Sequence, residues 1–197
     1  MKKILVTLFL IATLTVPTLA DNIELIPKLG YLFSPELTQR PEEKITTSKD
    51  SAISLGAELF LNMDNNFFLG FGIMWGQKHK FTSDSANNIG FTNIYGELKY
   101  KFLVNISQND SLFIYPLIQV GFGVPDWELN GYHLNYTIEG QGYWGFGAGC
   151  EYKNIIFELI YGCDYAVEKY IKSDHKDFKN NMTYTAFRIN IGYKFDL

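Results

Sequence analysis

Apolar and polar residues alternate at every second position over most of this chain, which is the pattern of β-strands with one apolar and one polar face. The clearest run is the last, Thr183–Leu197. Its apolar positions are Phe187, Ile189, Ile191, Tyr193, Phe195 and Leu197, and Arg188, Asn190, Gly192 and Lys194 lie between them. An unpaired edge strand of this length invites aggregation. In a closed barrel the last strand pairs with the first, so this ending predicts a barrel.

The same alternation predicts seven earlier strands. They are Ile23–Phe33, Ala52–Leu61, Phe67–Gln77, Thr92–Phe102, Leu112–Val124, His133–Tyr152 and Ile155–Tyr165. Long and short polar connections alternate between them. This rhythm predicts an all-β fold, an eight-stranded antiparallel up-and-down transmembrane β-barrel with short periplasmic turns, long extracellular loops and both termini in the periplasm. Alternation continues over Tyr165–Lys172, which predicts a strand that extends beyond the membrane; a flexible loop is the alternative.

The pattern leaves open whether the apolar face points outward to lipid or inward, as in a soluble lipocalin-like barrel. That face carries bulky side chains on every strand, whereas an eight-stranded interior holds little more than one packed set of side chains. The other face carries most of the glycines and scattered charges, which suits a crowded interior. Aromatic residues lie near both strand ends: Phe67, Phe102, Tyr152 and Phe195 at the turn end, and Tyr31, Trp75, Tyr136 and Tyr165 toward the loops. Two such girdles favour a membrane barrel.

The beginning of the chain has a different pattern. Lys2 and Lys3 precede the apolar run Ile4–Val16 and the small-residue ending Thr18-Leu19-Ala20. This arrangement predicts a cleaved secretory signal peptide over residues 1–20, with the barrel over residues 21–197. A membrane anchor is the alternative, but the apolar run is short for a spanning helix.

Composition and charge exclude two classes of protein. The chain is 16% aromatic and has a formal net charge of −4. It is therefore too hydrophobic for a disordered protein, and it lacks the basic surface that nucleic-acid binding requires. We expect no cofactor and no nucleic-acid partner.

The two cysteines lie on either side of the predicted two-residue turn Lys153-Asn154. That turn places Cys150 opposite Phe157 and Cys163 opposite Trp144. The two sulfurs are then roughly 20 Å apart at about 3.3 Å per residue, whereas a disulfide requires Cα atoms within about 7 Å. We expect two free thiols that face lipid.

Three histidines, His79, His133 and His175, lie in or beside predicted loops. Some small barrels are lipid A deacylases, which need a serine activated by a nearby histidine on the lipid-facing wall. The nearest such pair is His79 and Ser83, but it lacks the His-x-Ser spacing of those enzymes. A metal site formed by His175 with Asp174 and Asp177 is a second alternative. We interpret the histidines as solvated loop residues and predict no catalytic or metal site.

Six charged residues fall on the inward face, four of them at lower or middle depth counted from the turn end and Glu97 and Lys99 on the opposite wall. They are Lys28, Glu58, Glu97, Lys99, Glu158 and Arg188. Because an unpaired charge in a dry interior costs several kcal/mol, these six predict a mutually compensating lumen charge network. We place Arg188 at its centre, because a planar guanidinium can bond two carboxylates at once. A proton or ion relay is the functional alternative to a structural plug.

The closing strand resembles that of bacterial outer-membrane barrels, which usually end in alternating aromatic residues and a C-terminal Phe, here replaced by Leu197. Over residues 21–197 the chain resembles small outer-membrane barrels of the OmpA/OmpX/opacity-protein kind. The resemblance implies surrounding lipid and lipopolysaccharide, assembly by the outer-membrane barrel machinery, and a role in envelope structure or in adhesion to a host or surface ligand through the loops. We therefore expect a monomeric, non-enzymatic barrel with a plugged lumen; a lipid A-modifying enzyme and a narrow channel are the alternatives.

Overall fold

The computed structural model describes nine parts of the chain: residues 23–40, 44–47, 51–64, 66–76, 78–80, 88–106, 111–128, 136–171 and 177–197. The predicted signal peptide, residues 1–20, lies outside them, as do Ser83, His133, Asp174 and His175. In the described parts no helix is both long and apolar enough to cross a membrane.

Eight long strands form the barrel wall. They are β1 (Ile23–Arg40), β2 (Ala52–Asp64), β3 (Phe67–Gly76), β4 (Asn88–Tyr100), β5 (Ser111–Glu128), β6 (Tyr136–Tyr152), β7 (Ile155–Ile171) and β8 (Asp177–Tyr193). Four short strand segments extend the sheet. Lys44–Thr47 and Phe195–Asp196 pair with β1, His79–Lys80 pairs with β4, and Phe102–Asn105 pairs with β5. Each long strand pairs antiparallel with its neighbours in the chain, and β8 pairs with β1. The predicted all-β, eight-stranded up-and-down barrel is confirmed.

The first strand is longer than the sequence predicted. Its ladder with β8 shifts between Phe33 and Glu36, where Ser34 adopts a φ of 50°. The pairing then resumes and continues to Arg40. The prediction that the first strand ends at Phe33 was therefore wrong, because a β-bulge bends a strand without ending it.

A similar extension occurs in β5, which runs through Pro125 to Glu128 where the sequence predicted a loop. Pro125 pairs with Phe91 of β4. On its other side, β5 pairs with β6 only as far as Gly121. Among the described residues, Pro125 thus has a ladder partner on one side only, and there a missing N–H donor is tolerated.

Burial alternates along the strands and identifies the outer wall. In β3 every second side chain is exposed. Seven of the eight predicted girdle aromatics are exposed as well: Phe67, Phe102, Tyr152, Phe195, Tyr31, Trp75 and Tyr165; the side chain of Tyr136 is outside the described set. The polar face of the alternation is buried inside the barrel. An apolar outer wall of this kind suits lipid.

The Lys153-Asn154 turn sets the register that the sequence predicted, since Cys150 pairs with Phe157 and Cys163 with Trp144. Both cysteines are free thiols. Cys150 is half-buried, but Cys163 is only 2% exposed. Cys163 lies on the outward face with Phe157, Leu159 and Tyr165, as predicted, but the prediction was wrong about its exposure to lipid. Trp144 lies opposite it and donates its indole N–H to the Tyr165 hydroxyl over 3.3 Å, so two large side chains flank the small thiol on that face.

Candidate functional site in the barrel lumen

Buried side chains fill the lumen in layers. The loop-end layer is apolar: Leu32, Leu37, Ala52, Ile89, Phe91, Ile138, Ala166, Met182, Tyr184 and Ala186. A second apolar set lies toward the turn end: Ile26, Phe60, Phe68, Tyr115, Leu117, Ile156 and Ile160. The charged and hydrogen-bonding residues lie between and among these two sets, so their environment is dry.

Five of the six predicted lumen residues form one ionic cluster: Lys28, Glu58, Glu97, Lys99 and Glu158. Lys28 Nζ contacts Glu58 and lies 2.5 Å from Glu158 Oε2. Lys99 Nζ lies 2.9 Å from Glu158 Oε1, 3.0 Å from Glu97 Oε1 and 3.5 Å from Glu58 Oε2. The side chains in these contacts are at most 1% exposed. Each carboxylate thus has an ammonium partner, as burial of a charge requires.

Neutral groups complete the hydrogen bonding of the ionic cluster. Tyr95 donates its hydroxyl to Glu58 Oε1 over 2.7 Å, and Tyr115 donates to Glu158 Oε1 over 3.1 Å. Asn190 Nδ2 donates to Glu158 Oε2 over 3.2 Å. Lys99 Nζ also lies 4.1 Å from the centroid of the Phe60 ring, within reach of a cation–π contact. The three hydrogen bonds satisfy carboxylate lone pairs that the two lysines leave unpaired.

Close approach of the Tyr115 ring to the wall depends on a glycine. A Cβ at Gly149 would lie 2.6 Å from carbon atoms of that ring, a distance that real Cβ atoms do not show. Gly149 therefore makes the space in which Tyr115 reaches Glu158. This links the glycine-rich inner face of β6 to the geometry of the ionic cluster.

Arg188 is not the centre of the network, and that prediction was wrong. Its Nη2 donates to Gln119 Oε1 and to the Tyr143 hydroxyl, each over 3.3 Å. Within the described residues it forms no direct ion pair. The reason is depth: Asn190 pairs with Glu158, and Arg188 starts two residues nearer the loops on β8. Gln119 Nε2 donates to Glu97 Oε2 over 2.5 Å, so Arg188 joins the ionic cluster only through Gln119.

Sequence reasoning missed the uncharged members of this site. They are Tyr95, Tyr115, Gln119, Tyr143 and Asn190, all buried. Their signal was present, since all five fall on the inward face of the alternation. The predicted network omitted them because it included only charged residues.

A second set of ion pairs lies at the turn end. Lys101 Nζ is 2.7 Å from Glu151 Oε2 and 3.2 Å from Glu24 Oε2, and Lys194 Nζ is 2.6 Å from Glu151 Oε1. Lys101 Nζ also lies 3.9 Å from the centroid of the Phe68 ring. This turn-end rim adds another compensated layer below the ionic cluster.

His79 does not lie in solvent as predicted. It is 1% exposed, and its ring centroid is 6.1 Å from that of Tyr184 in the loop-end apolar layer. The prediction was wrong because His79–Lys80 pairs back onto β4 and carries the imidazole inward. The alternatives that use Ser83, His133 or His175 concern residues outside the described part of the chain and stay predictions.

Comparisons with known proteins agree with this architecture. The chain matches the outer membrane protein beta-barrel domain family over residues 6–195. It is similar to the solved structure of outer membrane protein AlkL in lipid bilayers, with TM-score 0.52, 10% identity and coverage of 90% of this chain and 92% of that one. It is also similar to Neisserial surface protein A, NspA, with TM-score 0.50, 12% identity and coverage of 88% and 97%. Identities this low show the fold alone. No curated protein matches the chain.

Proposed function

Since the chain belongs to the outer membrane protein beta-barrel domain family and is an outer-membrane β-barrel, we propose that it is a non-enzymatic surface protein with a sealed lumen. The observation that carries this proposal is the ionic cluster, whose paired side chains are at most 1% exposed. Groups that line an aqueous pore would be solvated. With the lumen occupied, the surface left for function is the loop end.

The loop end supports a role in binding. The ladder between β7 and β8 continues past Tyr165 as far as the pair Ile171–Asp177, so strand structure over Tyr165–Ile171 is confirmed. Among the side chains that the structure describes above Tyr165, the exposed ones include the polar residues Glu139, Lys179 and Asn181 in place of the aromatic wall. Glu139 and Lys169 form a partly exposed ion pair of 2.6 Å there. A polar ladder above an apolar belt is suited to water outside the membrane.

One edge of this projecting sheet is available for pairing among the described residues. It is not the edge of β6: the ladder between β5 and β6 ends at Gly121–Tyr143, but a Cβ at Gly140 would lie 1.8 Å from Gly123 O, so β5 still covers that edge. The segment Lys44–Thr47 pairs only with β1 within the same set. Unpaired strand edges accept an extended segment of another protein by strand addition. We propose that the protein adheres to a host or surface ligand by this mode, or that it binds another component of the cell envelope in the same way.

The same proposal includes the orientation of the barrel in the outer membrane and the molecules around it. Short turns at one end and longer connections at the other support periplasmic termini and extracellular loops. Lipid and lipopolysaccharide would then surround a monomeric barrel that the barrel assembly machinery inserts. The inward position of His79 supports a non-enzymatic function, because a deacylase needs its histidine on the lipid-facing wall.

The adhesion proposal is tested by shortening the projecting hairpin. Val167 pairs with Asn181, so residues 168–180 can be replaced by an Asn-Gly turn without disturbing the ladder below. We expect the purified wild-type barrel to bind at least one member of a panel of host matrix proteins, and the shortened barrel to lose that binding. The matched control replaces Lys153-Asn154 with Asn-Gly and should bind like wild type. Equal binding by the shortened barrel, or none by wild type, contradicts adhesion through this hairpin.

Mass spectrometry of lipid A separates the non-enzymatic proposal from its rival. Lipid A from cells with and without the protein should have the same acylation. A change in acyl chains that depends on the protein would favour the lipid-modifying enzyme.

A further inference from the structure

A small cavity lies inside the barrel between the loop-end apolar layer and the ionic cluster. Its lining residues are Leu32, Ser54, Gly76, Phe91, Asn93, Asp164, Tyr184 and Arg188. About 20 Å³ is open to the centre of a water molecule. A single buried water needs roughly 10–15 Å³ by this measure, so the cavity has room for one.

Four polar atoms of the lining residues have no hydrogen-bond partner among the described protein groups: Ser54 Oγ, Asn93 Oδ1, Asp164 Oδ1 and Arg188 Nε. Their residues are at most 6% exposed. Asp164 has one long hydrogen bond, from Asn93 Nδ2 to Oδ2 over 3.4 Å. A buried polar group left unpaired is costly, most of all a charged one. Four such atoms on residues that line one cavity therefore point to a ligand.

We propose that this cavity binds one structural water molecule, which joins Asp164 to Arg188 as a water-mediated ion pair. The unpaired atoms match the bonding capacity of water. Water accepts two hydrogen bonds, here from Arg188 Nε–H and the Ser54 hydroxyl. It donates two, here to Asp164 Oδ1 and Asn93 Oδ1.

A small cation fits the same atoms less well. It would gain the carboxylate and amide oxygens, but it would face the guanidinium charge of Arg188 across the same small space. It would also leave the Arg188 Nε–H without an acceptor. A water molecule satisfies the donor and the acceptors together.

The water also explains how two polar regions of the lumen connect. From Asp164 the contacts pass through the water to Arg188, from Arg188 to Gln119, and from Gln119 to Glu97 of the ionic cluster. The charges of Asp164 and Arg188 compensate each other across this bridge. The inference concerns the inside of the barrel and does not depend on adhesion at the loop end.

The direct test is a crystal structure of the refolded wild-type barrel at a resolution that shows ordered water. We expect one water within hydrogen-bond distance of both Asp164 Oδ1 and Arg188 Nε. An empty cavity, or a direct contact between Asp164 and Arg188, overturns the proposal. Anomalous signal in the cavity from a crystal soaked in rubidium ion would also overturn it and assign a cation site.

A double-mutant cycle tests the coupling in solution. Arg188→Met should lower the urea midpoint strongly when Asp164 is present, because the carboxylate then loses its compensating charge. In an Asp164→Asn background the same change should lower the midpoint much less. Equal shifts in the two backgrounds would show that Asp164 and Arg188 are not coupled.

Discussion

Lys99 Nζ lies 2.9 Å from Glu158 Oε1, although the two residues are 59 positions apart and stand on the non-adjacent strands β4 and β7. Their contact crosses the lumen. Lys99 also reaches Glu97 on its own strand and Glu58 on β2. One ammonium thus connects three strands of the barrel, and the ionic cluster cross-links the barrel across its lumen.

Replacing Lys99 should therefore destabilise the barrel strongly. Lys99→Met removes one of only two cations that serve Glu58, Glu97 and Glu158 in the ionic cluster. Breaking a buried ion pair from one side costs about 3–5 kcal/mol, because the remaining charge stays buried. Urea unfolding of the barrel reconstituted in lipid vesicles measures the loss.

The matched control is Lys169→Met. Lys169 also contacts a glutamate, at 2.6 Å from Glu139 Oε2, but both side chains are well exposed. An exposed pair contributes less than about 1 kcal/mol. Similar losses for the two variants would show that burial does not amplify the Lys99 contacts.

Substitution by alanine should affect the stability of the barrel differently at two glycines of β6, because only one of them lies against a lumen side chain. Gly149→Ala places a methyl group 2.6 Å from the Tyr115 ring and should cost about 1–3 kcal/mol through overpacking. Gly142→Ala meets nothing within 4 Å and should be close to neutral. Urea midpoints compare the pair, and equal effects would mean that Tyr115 does not lie against Gly149.

A cysteine scan tests the register of the β6–β7 hairpin. Cys150 and Phe157 are direct cross-strand partners, and such positions have Cα atoms about 4.5–5.5 Å apart, within the range that a disulfide spans. Phe157→Cys should form an intramolecular disulfide with Cys150 on mild oxidation, seen as a loss of free thiol by mass spectrometry. Leu159→Cys, two residues along the same face, should not. Cross-linking at position 159 instead of 157 would indicate a shifted register.

The register of this hairpin was predictable because a two-residue turn leaves a single way to pair the flanking strands. The strand count was predictable from the alternation. The outward face was predictable from the bulk of the apolar side chains, which the interior of an eight-stranded barrel cannot hold. A β-bulge limits what the alternation can predict, because it changes which residues face inward. The ladder between β6 and β7 shifts at Tyr165–Ala166, so Ile138 is buried and Glu139 exposed, the reverse of what uninterrupted alternation indicates.

Depth inside the barrel was the less predictable part of the site. Inward-facing residues on different strands meet only if the stagger between strands brings them level, and the alternation carries no information on stagger. Lys28 and Lys99 therefore lie at the centre of the ionic cluster, while Arg188 lies nearer the loops with Gln119 and Tyr143. Formal charge identified the charged residues of the site, but neither their partners nor its uncharged members.

Planar-bilayer recording of the purified wild-type barrel tests the sealed lumen most directly, with a 16-stranded porin as the positive control. Side chains fill an eight-stranded barrel, whereas aqueous channels need about 16 strands. A sealed lumen predicts no stable conductance from the barrel while the porin conducts in the same membrane. Steady currents of porin size from the wild-type barrel would contradict a sealed lumen and favour the channel.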